Sequence, residues 1–233
     1  MTKKYKLTRN SVTVDNRTLY QIRALKDFGS VKKGDLGGYI ETEKNLSHDG
    51  TCWVSEDPCV FGHAHVYGNA RVSGSAHVYE NARVSGNARV SGNAQVYRNA
   101  QVYENAYVYG NAWVSGNAHV YEDAHVSEGA YVYGNAQISG NVQVSGNAHV
   151  YGNAWIYGNA QVSGHAHVYG HAQVSGDAHV SGDAHVYVPV DFDCDFDPYE
   201  SFKKILDQKE ILPVLLGIDP GLDKMISERL KHD

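Results

Sequence analysis

The chain is poor in the residues that staple, kink or anchor a protein. Three cysteines in 233 residues, Cys52, Cys59 and Cys194, are an odd number with no Cys-x-x-Cys spacing. That excludes a disulfide framework and a zinc module, and it fits a reducing compartment. Five prolines beside 24 glycines exclude a collagen-like or proline-rich composition. Nowhere do eighteen apolar residues run together, so no membrane-spanning helix is expected. The opening Met-Thr-Lys-Lys-Tyr-Lys leads into no signal-peptide core, and a cytoplasmic location is the expectation. Charge of one sign is also lacking. The formal net charge is −6, with much of the acidic excess in Asp191, Asp193, Asp195 and Asp197. Between His63 and Tyr187 seven acids stand against four arginines, so the continuous field of a DNA mimic or a nucleic-acid reader is absent.

What the chain has is a repeat. From Val54 to Val186 an aliphatic residue returns at every sixth position, Ile138 and Ile156 being the only departures from valine, which makes 23 hexads. A typical unit is Ala148-His149-Val150-Tyr151-Gly152-Asn153. Ala and Val lie two apart and so point to one side of an extended strand, while the residues flanking Val point to the other. Gly-Asn is expected to make the corner, through left-handed backbone at either residue. One such strand has no stability of its own, so hexads must stack and bury a shared core.

The Val-x-Gly-Asn-Ala-x pattern resembles the left-handed β-helix, or bacterial transferase hexapeptide, superfamily. The resemblance implies an all-β, left-handed parallel β-helix, a triangular prism with 18 residues per coil and seven to eight coils. At about 4.8 Å per coil the prism is roughly 35 Å long. The segment from Tyr20 to Gly29 and on through Gly38-Tyr39-Ile40-Glu41 resembles the N-terminal region of uncharacterised phage and prophage hexapeptide-repeat proteins.

Open sheet edges at both ends need covers. Residues 1–50 are assigned to an N-terminal cap, 51–190 to the β-helix and 191–233 to an acidic segment with a helical cap or docking module. Alternation around Asp15-Asn16, with Val12, Val14, Leu19, Tyr20 and Ile22, predicts a β-hairpin. Gly34-Asp35-Leu36-Gly37-Gly38 reads as a tight turn into irregular first rungs near Ile40 and Leu46. Asp197-Pro198 and Asp219-Pro220 are helix-start pairs. Phe202 and Leu206, then Leu222 and Met225, mark candidate docking helices.

Counting in steps of eighteen sorts the outward residues onto three faces. One carries mostly serine, from Ser55 to Ser181. A second is mixed, from Tyr67 to Ser175. The third is aromatic: Tyr79, Tyr97, Tyr133, Tyr151, Tyr169 and Tyr187 follow the inward position, and Trp113, Tyr131, His149, His167 and His185 precede it. Aromatic residues of this kind concentrate in interface cores, although a tyrosine column also stabilises a sheet by itself.

Members of the superfamily include acyltransferases, commonly trimeric, and zinc carbonic anhydrases. Eleven histidines from His63 to His185 therefore raise both chemistries. No insertion interrupts the hexads, a bare prism offers no concavity, and histidine shares its slot with Gln, Arg, Tyr and Trp. No catalytic residue, metal or cofactor is assigned. The expected role is a non-enzymatic protein-binding or scaffold module. The phage resemblance implies an inhibitor of a host protein, such as one in a defence system. The alternatives are an acyltransferase-like enzyme and a structural component of a phage particle. The partner is another protein or a second copy, as homodimer or homotrimer, and neither nucleic acid nor membrane is expected.

Overall fold

The computed structural model describes residues 3–188. The chain opens with an antiparallel hairpin, β1 (Tyr5–Val14) and β2 (Arg17–Ala24). Asp15 and Asn16 both take positive φ, 48° and 60°, the two-residue turn whose twist matches paired strands. Strand β3 (Leu36–Ile40) pairs antiparallel with β2 and parallel with the rung Cys59–Val60. It thereby converts the hairpin into the first edge of a solenoid.

The solenoid is a stack of two-residue rungs, one per hexad, with two longer rungs at His167–Gly170 and His185–Val188. Every rung pairs in parallel with the rung eighteen residues away, as Arg71 does with Arg89 and Val72 with Val90. Three sheets result, of eleven, eight and seven strands, the largest including the hairpin and β3. About eight coils of eighteen residues are therefore stacked in one continuous ladder. Each inward Ala and Val from Ala70 to Ala172 is fully buried. Each buried valine contributes about 1.5–3 kcal/mol before chain ordering is subtracted.

Glycine makes the corner, with φ between +63° and +78° in the rungs from Gly62 to Gly182. Six rungs place Glu or Arg there instead, with the same positive φ. Three of the five glutamates accept a backbone N–H of the next coil: Glu56 from Gly74 at 2.6 Å, Glu104 from Glu122 at 3.0 Å and Glu128 from Gly146 at 2.7 Å. Asparagine behaves otherwise than expected. No repeat asparagine adopts positive φ. Its amide instead forms columns along the prism edges, as in Asn81 to Asn99 at 3.1 Å and Asn99 to Asn117 at 3.0 Å.

The expected turn over Gly34–Gly38 is also corrected. Gly34 does turn, at φ +99°, but Leu36–Ile40 is a strand. Gly37 and Gly38 are needed there for space. A Cβ on Gly37 would strike the Val54 carbonyl and lie 2.6 Å from Ile22, and one on Gly38 would lie 2.7 Å from Pro58.

The N-terminal end is closed by side chains that replace a missing coil. Within the stack, the backbone N–H of one coil donates to a carbonyl of the next, as Trp53 does to Ala70. The first coil's own carbonyls have no coil before them. Lys4, 1% exposed, donates Nζ–H to Cys52 O at 2.9 Å. The Tyr5 hydroxyl donates to Leu46 O at 2.7 Å. The Asn45 amide donates to Ala64 O at 2.9 Å and Gly62 O at 3.1 Å. At the other end Ala178, Ala184, Val186 and Val188 are only partly buried. The proposed docking-helix residues Phe202, Leu206, Leu222 and Met225, with Cys194 and the acidic segment, lie outside the described residues.

Candidate functional site

The eleven aromatic and imidazole residues singled out from the sequence all stand on the eleven-stranded sheet. They form two adjoining columns. In one, Tyr79 stacks on Tyr97 at 5.0 Å between ring centroids, and Tyr133, Tyr151, Tyr169 and Tyr187 follow at 4.8, 4.9 and 4.7 Å. In the other, Tyr131, His149, His167 and His185 stack at 4.8 Å throughout. The columns meet edge to face, as in Tyr151 with His167 at 88°, the arrangement the ring quadrupole favours.

The tyrosine column is broken once, by Ser115, which is buried. Trp113 bridges the gap, edge-on to Tyr97 at 6.2 Å and tilted on Tyr131 at 5.4 Å. Because the rings cover one another's faces, the sheet presents their edges, hydroxyls and imidazole nitrogens to solvent. Partial burial pushes the Tyr79 hydroxyl up to about 12 and raises those of Tyr133 and Tyr151, with the neighbouring tyrosine adding to the effect. These hydroxyls keep their protons at neutral pH and can donate.

The first rungs of this face are already covered by the chain's own hairpin. Leu19, Cys59 and Phe61 are buried together, with Val12, Val14, Tyr39 and Tyr79 packed against them. The base of the same hairpin, through Tyr5, Ile22 and Ala24, packs instead on the end of the core. Between these two contacts the hairpin's pairing shifts by two residues, from Leu7 opposite Ile22 to Ser11 opposite Tyr20. From Tyr97 to Tyr187 the face has no such cover among the described residues.

Burial lowers the histidine values at His149 and His167, helped by the next imidazole in the column, and also at His65 and His77. A histidine that binds its proton less readily when folded stabilises the fold above the ordinary value near 6.5. That contribution is lost as pH falls through the lowered folded values. The melting temperature is therefore expected to fall between pH 7 and pH 5, before the carboxylates titrate. His167→Gln should flatten that fall, and a pH-independent melt over this range in the wild-type protein would contradict the reading.

A second feature was not legible in the hexads. Where the hairpin and the turn Glu43–Asn45 meet the mixed sheet there is a half-open cleft of about 860 Å³, lined by Arg17, Glu41, Lys44, His63, His65, Tyr67 and Arg83 among others. The bare prism expected from the sequence has no concavity. This one exists because the cap packs beside the first rungs.

The repeats can be placed among known proteins. The family model described as YdcK Beta solenoid repeat matches residues 64–80, 82–98, 100–116, 136–152, 142–158 and 172–187. The first three matches begin eighteen residues apart, in step with the coil. The matched segments are similar to YdcK-type β-solenoid repeats. The YdcK-type matches cover less than half of the chain and leave the N-terminal cap outside. The matching description carries no phage association. No curated protein matches the chain.

Proposed function

We propose that the protein is a non-enzymatic binding module whose aromatic face, from Tyr97 to Tyr187, receives an apolar β-hairpin or strand pair of a partner protein. One observation carries this reading: the chain docks its own Val12, Val14 and Leu19 on the first rungs of the same ladder. The remainder of the face repeats that chemistry over further coils. Ring edges and hydroxyls there supply contact area with polar tips, a combination enriched at interface centres. The likeness to hexapeptide-repeat proteins supports left-handed winding of the coil, which a crystal structure would test.

Replacing Tyr133, Tyr151 and Tyr169 together by serine tests the reading. Serine already occupies this slot at Ser115, so the coils are expected to melt within a few degrees of the wild type. Partner binding, or self-association measured by light scattering at several concentrations, is expected to weaken by roughly a hundredfold or more, since each interface tyrosine at such a centre is worth about 1–2 kcal/mol or more. Unchanged association in a folded triple variant would overturn the proposal.

The acyltransferase-like reading has weaker support. The histidines of the aromatic face stand in a stacked column and share it with Trp113 and Tyr131, as interchangeable ladder residues do.

A further inference from the structure

The cleft beside the N-terminal cap gathers positive charge on an otherwise acidic chain. Its cationic side chains come from three separate elements. Arg17 begins β2, Lys44 lies in the turn Glu43–Asn45, and Arg83 is an outward residue of the mixed sheet. The acid among the lining residues is Glu41, and its carboxylate is already engaged. It pairs with Arg17 at 2.9 Å and accepts the Gly62 N–H at 2.7 Å. Among the described residues, Lys44 and Arg83 have no carboxylate within ion-pair distance. Burial first, and the Arg83 charge second, disfavour protonation of His65 beside it.

Several other cations of the described region have partners elsewhere. Lys3 pairs with Glu43 and Lys32 with Asp27. Arg71 donates to Ser30, while Arg89 and Arg98 lie over tyrosine rings. Against that background, a cleft with three cations and one engaged carboxylate attracts an anion. Its volume exceeds what a bare inorganic ion fills and falls in the range of small-molecule sites. One wall is aromatic, with His65 stacked on Tyr67 at 4.9 Å, and Tyr67 is 36% exposed.

We propose that this cleft binds a small organic phosphate, a phosphomonoester on a planar body, with the phosphate held by Arg83 and Lys44 and the body lying against Tyr67. Arginine suits a phosphate through its planar fork and lysine as a point charge. The site is separate from the aromatic face and does not depend on the role proposed for it.

Calorimetric titration of the full-length protein with phenyl phosphate, inorganic phosphate and phenol tests the assignment. Phenyl phosphate is expected to bind one per chain, more tightly than inorganic phosphate, and phenol is expected to bind weakly or not at all. Arg83→Gln is the informative variant, because Gln101, Gln137 and Gln173 fill the same slot on this sheet and the coil tolerates it. Combined with Lys44→Ala, it should weaken phenyl phosphate by roughly tenfold or more, the effect of losing charge-assisted hydrogen bonds. No heat with phenyl phosphate would overturn the proposal, as would equal binding of phenol or undiminished affinity in the folded double variant.

Discussion

Val132→Asp is expected to abolish cooperative folding of the solenoid. Val132 is fully buried and lies in register between Val114 below and Val150 above. A carboxylate there has no cation or donor within the apolar stack, and desolvating it costs several kcal/mol. A domain of this size is stable by about 5–15 kcal/mol in total. Coils contact only their neighbours, so a break in the middle removes support from both sides. Circular dichroism should show lost β signal or a broad, early melt. Val132→Ile is the control, since Ile138 and Ile156 occupy equivalent inward positions and are fully buried. A sharp melt within a few degrees of wild type for the aspartate variant would mean that the inward register is wrong.

The second large effect is expected at the N-terminal cap. Lys4→Ala should lower unfolding stability by about 2–5 kcal/mol, because it empties a buried stem and leaves a buried carbonyl without its donor. The stem contributes by filling space, and the ammonium by satisfying Cys52 O in place of the absent preceding coil. Lys4→Met separates the two, keeping most of the volume and removing the donor, with an expected loss of about 1–3 kcal/mol. Urea denaturation followed by tryptophan fluorescence reads both, since Trp53 lies in the neighbouring core. Stability within about 0.5 kcal/mol of wild type for Lys4→Ala would refute the capping account.

These two sites differ in how far the sequence reveals them. Val132 could be placed by counting, because a period of six is a local pattern and parallel stacking converts it directly into three sheets. The hairpin was equally legible from Asp15-Asn16 between alternating apolar residues. The sorting of outward residues onto an aromatic sheet needed only the eighteen-residue coil. Lys4, Tyr5 and Asn45 gave no comparable signal. They act on backbone carbonyls left over by the end of a repeat, and nothing in their neighbours' identities marks that geometry.

The same limit explains the other corrections. Gly37 and Gly38 suggested a turn, yet they are glycines because β3 approaches Val54 and Pro58 too closely for a side chain. The asparagines suggested left-handed backbone, and the structure uses their amides in columns along the edges. The hairpin tip lies over Phe61 beyond a two-residue shift in pairing between Leu7 and Ser11, an irregularity that alternation of apolar residues does not reveal. The basic cleft is assembled from residues 17 to 83, and no stretch of sequence contains it.

The central claim is that the aromatic face, rather than the prism as a whole, meets a partner. A photo-reactive side chain placed at Tyr151 or Tyr169, and in parallel at Ser145 or Ser163 on the serine sheet, compares two faces at the same height of the stack. Irradiation in extract of the native cells, followed by mass spectrometry, identifies what each face touches. The account predicts one recurrent adduct, to a partner segment with alternating apolar residues, from Tyr151 and Tyr169 and none from the serine sheet. Equal adducts from both faces, or adducts from the serine sheet alone, would contradict it.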